Sequence, residues 1–287
     1  MRKLISVLAG AVAVLLAYGS ASAASALPFG LYQGSNDLQY SFAAVPDYAI
    51  QFYGWQEAFQ AADVQDAWDA GTESFLELQT CRNPCNVATS VPLADVIAGN
   101  YDTYLTNFAD AVAAFGHPVL MTFDHEMNGS WYPWDAADGG ISTGVTPALW
   151  IAAWDHVTSL ISAIAPNVAW VWAPNIEQGG SAVSAFWPGP GGQVSYVGLD
   201  GYYAGTATNW AHRFQPSYLD VESASGGGYP FMVAETGIPA GDSNAVSQVD
   251  DLVSGAQSAG AVAVMYFDKG AYAMTPAMES EFTADAG

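Results

Sequence analysis

Basic residues are the scarcest feature of this chain. Lys and Arg number 5 against 28 Asp and Glu, giving a formal net charge of -23 over 287 residues. Neutralising phosphates takes clustered Lys and Arg, so nucleic acids are excluded as partners. Anionic membrane surfaces and acidic polymers are disfavoured for the same reason. Charged residues of both signs make up only 11%, while hydrophobic ones make up 51%. Disorder needs the reverse balance. Cysteine is nearly absent too. Cys81 and Cys85 stand with four scattered histidines, His117, His125, His156 and His212. None of these spacings holds zinc. His125-Glu126 opens like a zinc-protease motif, but Gly129 stands where the second His is required. No metal and no cofactor is therefore expected.

What the chain does carry begins with an export signature. Arg2 and Lys3 precede an apolar Leu4 to Leu16 segment, and Ala21-Ser22-Ala23 offers a small-residue cleavage site. The expectation is a signal peptide over residues 1–23 and a secreted, extracellular domain over 24–287. The apolar segment is shorter than the ~20 residues that span a bilayer. No later stretch is apolar enough, so no membrane association is expected after cleavage. Removing 1–23 leaves 3 basic residues against 28 acidic ones. Export favours a Cys81–Cys85 disulfide. Its loop is so short that it staples a local turn and contributes little to global stability.

The remaining sequence alternates strand and helix patterns without linker or repeat. Eight apolar runs read as strands: 29–33, 49–53, 74–79, 118–123, 168–172, 196–200, 231–234 and 262–267. Several are apolar throughout, as strands buried on both faces must be. Helical faces lie between them. One holds Tyr101, Leu105, Phe108, Val112 and Phe115. Another holds Trp150, Trp154, Val157 and Ile161 behind Thr146-Pro147, and a third holds Val246, Val249 and Val253 behind Asp242 as cap. This alternation implies a parallel sheet, and eight units in about 260 residues match an α/β fold of the single (β/α)8 barrel type. An open doubly wound sheet is weakened by the lack of a Gly-rich phosphate loop after the first strand.

A barrel places its chemistry at the C-terminal ends of its strands. The fourth strand ends in Phe123-Asp124-His125-Glu126-Met127-Asn128-Gly129, followed by Trp131 and Trp134, and the seventh ends in Ala234-Glu235-Thr236-Gly237. Only nine Glu occur in the chain, and two of them close apolar strands. Two carboxyls facing each other across a barrel mouth suit glycoside hydrolysis. At a separation of ~5–5.5 Å such a pair reacts with retention, through a covalent glycosyl-enzyme. Trp131 and Trp134 are expected to flank the cleft as sugar-stacking platforms. Strict alternation along the fourth strand would place Asp124 and Glu126 on one side and His125 on the other, which requires the strand to break there.

These motifs resemble glycoside hydrolase family 26, whose best-known members are endo-β-1,4-mannanases. The resemblance rests on His125-Glu126-Met127-Asn128-Gly129, on Trp131 five residues past the Glu, and on Glu235-Thr236-Gly237. Gly99-Asn100-Tyr101-Asp102, Gly116-His117-Pro118, Trp170-Val171-Trp172-Ala173-Pro174-Asn175 and Leu199-Asp200-Gly201-Tyr202 extend it from about Phe29 to Phe267. The resemblance implies that Glu126 is the general acid/base and Glu235 the nucleophile. It also implies that His125 lines the site, that Trp131 stacks near the cleavage point, and that Tyr202, next to Tyr203, orients the nucleophile. Glu77, Asp124 and Asp200 remain further strand-end acids without an assigned role. The expected function is a monomeric, secreted, retaining endo-glycosidase acting on a neutral polysaccharide of the β-1,4-mannan type. β-1,3-Xylan, mixed-linkage β-glucan and a non-catalytic carbohydrate-binding barrel stand as alternatives.

Overall fold

The computed structural model describes residues 26–34, 44–136, 144–177, 181–205 and 208–286, with the side chains of 285 and 286 excepted. The expected signal peptide, 1–23, lies outside these residues. Eight parallel strands close into a barrel in chain order. They are β1 Phe29–Tyr32, β2 Tyr48–Tyr53, β3 Glu73–Leu78, β4 Val119–Phe123, β5 Val168–Trp172, β6 Val194–Tyr202, β7 Phe231–Gly237 and β8 Val264–Phe267. The eight expected strands are all present, and the (β/α)8 architecture is the observed one.

The helical layer is less regular than the alternation implied. α1 Ala61–Asp69 follows β2, α2 Leu93–Ile97 and α3 Asp102–Phe115 follow β3, and α4 Pro147–Ile164 follows β4. α5 Trp210–Arg213 and α6 Gln215–Ser225 follow β6, α7 Ala245–Ser258 follows β7, and α8 Pro276–Ala286 follows β8. Among the described residues the β5–β6 connection carries one 3₁₀ turn, Val183–Phe186, and no helix lies between β1 and β2. α4 starts as its sequence indicates: Thr146 Oγ1 accepts from the Leu149 N–H at 3.2 Å and Pro147 takes the first position. α7 differs. Asn244 holds its N-cap position, while the Asp242 carbonyl accepts from the Ala245 N–H at 3.1 Å.

Strand alternation divides the apolar side chains into two cores. Ile50, Phe75, Leu120, Val171, Met232, Ala234 and Met265 fill the barrel interior. The opposite faces, among them Leu76, Met121, Trp170, Leu199 and Val233, pack against Trp150, Trp154, Val157, Val249 and Leu252 of the helices. The upper row of the interior is polar. Glu77 follows Phe75 on the inner face of β3, and Asp200 stands opposite Glu235 in the β6–β7 register. The apolar interior thus carries a charged lid at its C-terminal end.

β7 does not alternate simply. Leu199 pairs with Val233 and Asp200 with Glu235, so β7 advances two residues while β6 advances one. Against β8 it advances three, from Val233 to Thr236, while β8 advances two, from Val264 to Tyr266. The extra residue is a β-bulge, a device that re-aims a side chain. It lets Glu235 share the inner face with Ala234 rather than turn outward.

Candidate active site

β4 breaks immediately after Phe123. Asp124 and Glu126 adopt left-handed backbone conformations, with φ 46° and 53°, each costing on the order of 1–3 kcal/mol for a non-glycine residue. Neighbouring strands hold the strained segment. The Asp124 N–H donates to Leu78 O at 2.9 Å, and the Glu126 N–H donates to Ala173 O at 2.8 Å. Three consecutive side chains are aimed three ways as a result. Asp124 turns to Thr80, accepting from its N–H and its hydroxyl, both at 2.8 Å. His125 turns to Glu77, with Nδ1 3.0 Å from the carboxylate. Glu126 faces the mouth.

Glu126 is 5% exposed, and each of its carboxyl oxygens has a donor. Trp131 Nε1 reaches Oε2 at 2.5 Å and Asn175 Nδ2 reaches Oε1 at 2.5 Å. Asn175 is in turn fixed by Asn128, whose Oδ1 accepts from the Asn175 N–H at 2.8 Å and whose Nδ2 donates to Asn175 O at 2.7 Å. The Asp135 carboxylate accepts from the Trp131 and Tyr132 N–H groups at 2.6 and 2.7 Å and shapes the loop between them. Gly129 completes the arrangement. A Cβ there would sit 2.6 Å from the Trp131 ring, so only glycine lets the indole fold back onto Glu126.

Glu235 is also 5% exposed and accepts the Tyr202 phenol. Gly237, two residues on, plays the part that Gly129 plays: a Cβ there would meet the Tyr202 ring at 2.8 Å. The adjacent Tyr203 points elsewhere, its hydroxyl donating to Asp251 at 2.8 Å. Arg213 Nε donates to the Tyr202 carbonyl and anchors the end of β6.

Four buried carboxyls, Glu77, Glu126, Asp200 and Glu235, therefore cluster at the mouth, the first, second and fourth of them around the His125 imidazole. Burial would push His125 down, but the charge of Glu77, its hydrogen bond to Glu77, and the charges of Glu126 and Glu235 outweigh that and hold it at about 10. It is a cation at neutral pH. Burial raises Glu126, opposed by His125 and by the Trp131 and Asn175 donors. Burial and the charges of Glu77 and Glu126 raise Glu235 to about 8, opposed by His125 and the Tyr202 phenol. Asp200 is raised well above the usual carboxylate range by burial and by its three acidic neighbours. Among the described residues neither of its oxygens has a hydrogen-bond partner.

Glu77, His125 and Glu235 each bring one ligand atom within 4.8 Å of the others. Within this group His125 Nδ1 faces the Glu77 carboxylate at 3.0 Å.

The sequence-derived residues divide into two groups. Glu126, Glu235, His125, Trp131 and Tyr202 come together at the mouth. Trp131 is 40% exposed and presents an indole face at the rim. Trp134 is corrected: it is 1% exposed, stacks on Tyr132 at 4.5 Å, and donates to His125 O at 2.7 Å. Its ring supports the floor of the loop and offers no platform in the cleft. Sequence reasoning misses Asn175, Asn128 and Asp135 as site residues, and marks Glu77 only as a strand-end acid without a role. Asn175 closes an apolar strand, the same signal that marked Glu126. The Cys81–Cys85 disulfide is present.

Comparison with known proteins places the site in context. Residues 95–217 match the family described as glycosyl hydrolase family 26. This segment contains Glu126, Trp131, Asn175 and Tyr202, while Glu77 and Glu235 fall outside it. A curated relative, Endoglucanase H of Acetivibrio thermocellus, is 36% identical over 123 residues. That match spans 42% of this chain and 13% of the relative. Among solved structures, Bacillus subtilis mannanase BCman superposes with a TM-score of 0.64 at 16% identity, covering 90% of this chain and 84% of that one. The Cellulomonas fimi endo-β-1,4-mannanase gives 0.66 at 16% identity, covering 91% and 70%. The Bacteroides ovatus GH26 β-mannanase gives 0.64 at 16% identity, covering 91% and 88%. At these identities the superpositions establish the fold.

Proposed function

We propose, on the premise that this chain resembles glycosyl hydrolase family 26, that it is a secreted, retaining endo-glycosidase acting on β-1,4-mannan-type polysaccharides. The observation that carries the reading is the pair of buried carboxyls at the ends of β4 and β7, each held by its own set of donors. Export rests on residues 1–23. No described helix is long and apolar enough to cross a membrane.

In the first step Glu235 attacks the anomeric carbon. The bond to the departing oxygen breaks, and Glu126 gives that oxygen its proton. In the second step Glu126 takes a proton from water, the water oxygen attacks the same carbon, and Glu235 is released. Burial and nearby negative charge raise Glu126, which helps it hold its proton. The Tyr202 phenol and the His125 cation favour the ionised form of Glu235. The first step needs Glu126 protonated and Glu235 ionised.

Mannan is supported by the mannanases among the structural neighbours. A β-glucan is the second reading, favoured by the relative named Endoglucanase H. Reducing-sugar release from mannan, glucomannan, xylans and β-glucans separates them. Proton NMR of the first product tests the mechanism: retention gives an initial β-anomer, and an initial α-anomer would sink it.

A further inference from the structure

A pocket of about 340 Å³ opens beside the catalytic carboxyls, lined among others by Tyr32, Phe52, Glu57, Gln79, Asn83 and Cys85. Its inner wall is continuous with the site. The Phe52 ring lies 5.9 Å from His125, and Tyr32 packs edge-on against Phe52 at 4.8 Å. Tyr32 also packs on Phe267 at 4.9 Å, and Phe267 meets the ring of Tyr202, the phenol that donates to Glu235, at 6.3 Å. The pocket therefore borders the Glu235 side of the mouth, whereas Trp131 and Asn175 cover Glu126 from the β4–β5 side.

Its outer wall is the turn closed by the Cys81–Cys85 disulfide. That turn is fastened to the barrel through the Trp55 N–H, which donates to Cys81 O at 2.7 Å. Asn83 is exposed at its tip and Glu57 is half-buried beneath it. The lining combines two aromatic faces with two amides and one carboxyl. That is the chemistry that binds a neutral, hydroxyl-rich ring: apolar faces below and hydrogen-bonding groups around the rim.

We propose that this pocket is a sugar-binding subsite on the glycone side, holding a residue of the chain that stays attached to Glu235, and that the disulfide turn builds its wall through Asn83. The inference rests on the glycosidase reading above. It gives the bridge a role in substrate selection that its stability contribution does not explain. A sugar reaching this wall bonds to groups that a shorter substrate never meets, so affinity rises with chain length until the pocket is filled. Removing the wall flattens that rise.

The test titrates β-1,4-linked manno- and gluco-oligosaccharides of two to six units into the Glu235→Ala protein by calorimetry. The measurement is repeated with Asn83→Ala added, and again after mild reduction of the disulfide. Thermal unfolding confirms that each form is folded. The expected result is a loss of about three- to tenfold in affinity for the longer oligosaccharides, the size of one or two neutral hydrogen bonds. A smaller loss is expected for the disaccharide. Wild-type kinetics with Asn83→Ala should show the change in KM rather than kcat. Unchanged chain-length dependence in both altered forms, with the parent still binding and the wild type still cleaving, overturns the subsite alone. No binding of any oligosaccharide and no cleavage of any polysaccharide overturns the glycosidase reading, and the subsite with it.

Discussion

The indole N–H of Trp131 donates to Glu126 at 2.5 Å, so the residue expected as a stacking platform also tunes the acid beside it. This hydrogen bond favours the ionised carboxylate and works against the burial that raises Glu126. Trp131→Phe keeps an aromatic face and removes the donor. Glu126 should then hold its proton to higher pH, and the basic limb of the kcat/KM profile should move up by about one pH unit. A limb that stays in place would reduce Trp131 to stacking.

Glu235→Ala should lower turnover by roughly three orders of magnitude or more while leaving the fold intact, because water cannot take the nucleophile's place at the same geometry. Glu126→Ala should lose most on natural polymers and recover in part on substrates with good leaving groups. Equal loss on both would remove it from the acid role. Steady-state kinetics on a polysaccharide and an activated aryl glycoside decide the matter.

Gly129→Ala places a Cβ against the Trp131 ring. The indole must then shift, and Glu126 loses both its donor and its cover. Displacement of about 1 Å near the reacting centre can cost 10²-fold. We expect a kcat decrease of about that size with little change in thermal midpoint. Wild-type kcat in this variant would show that the ring position is unimportant.

Stability should fall as pH rises. Burial raises Asp124 to about 8 and Asp135 to about 7, and the balance of burial against its acidic neighbours leaves His125 at about 10. All three bind protons more tightly when folded than when unfolded. The carboxyl contributions are complete below the ordinary carboxylate range and fade through pH 7 to 8. The histidine contribution is complete below ~6.5 and is lost as pH passes 10. Thermal midpoints measured from pH 5 to 9 at fixed salt should drop by several degrees. A flat or rising trend would contradict the assignment.

Reducing the Cys81–Cys85 bridge should cost at most roughly 2 kcal/mol, because the closed loop is so short. Differential scanning calorimetry with and without reductant gives the value, and wholesale unfolding would refute it.

The strands were legible because burial on both faces leaves little but apolar residues, so Val119–Phe123 or Val168–Trp172 could serve no other purpose. Strand ends were less so. β6 runs on to Tyr202 and β7 to Gly237 because polar mouth residues stay hydrogen-bonded in the sheet. Glu126 and Glu235 stood out as acids closing apolar strands. What stayed hidden depends on backbone torsion and on distant partners. Left-handed Asp124 and Glu126, the Glu77–His125 pair and the inward fate of Trp134 leave no trace in residue spacing. Trp134 shows the limit: its composition and proximity to Glu126 suit a platform as well as a floor.

The bulge in β7 makes the position of Glu235 a matter of counting. The carboxyl faces inward because one surplus residue has been fitted between Val233 and Thr236. Exchanging the side chain of Ala234 for another small one would leave that count untouched. Deleting Ala234 would restore the sheet's regular beat and leave the carboxyl inward, opposite Asp200, whereas losing the bulge with Ala234 in place would turn it toward the helices. A search by substitution alone would never uncover this dependence. Removing Ala234 would, because the register predicts a folded barrel that still carries its carboxyl at the mouth.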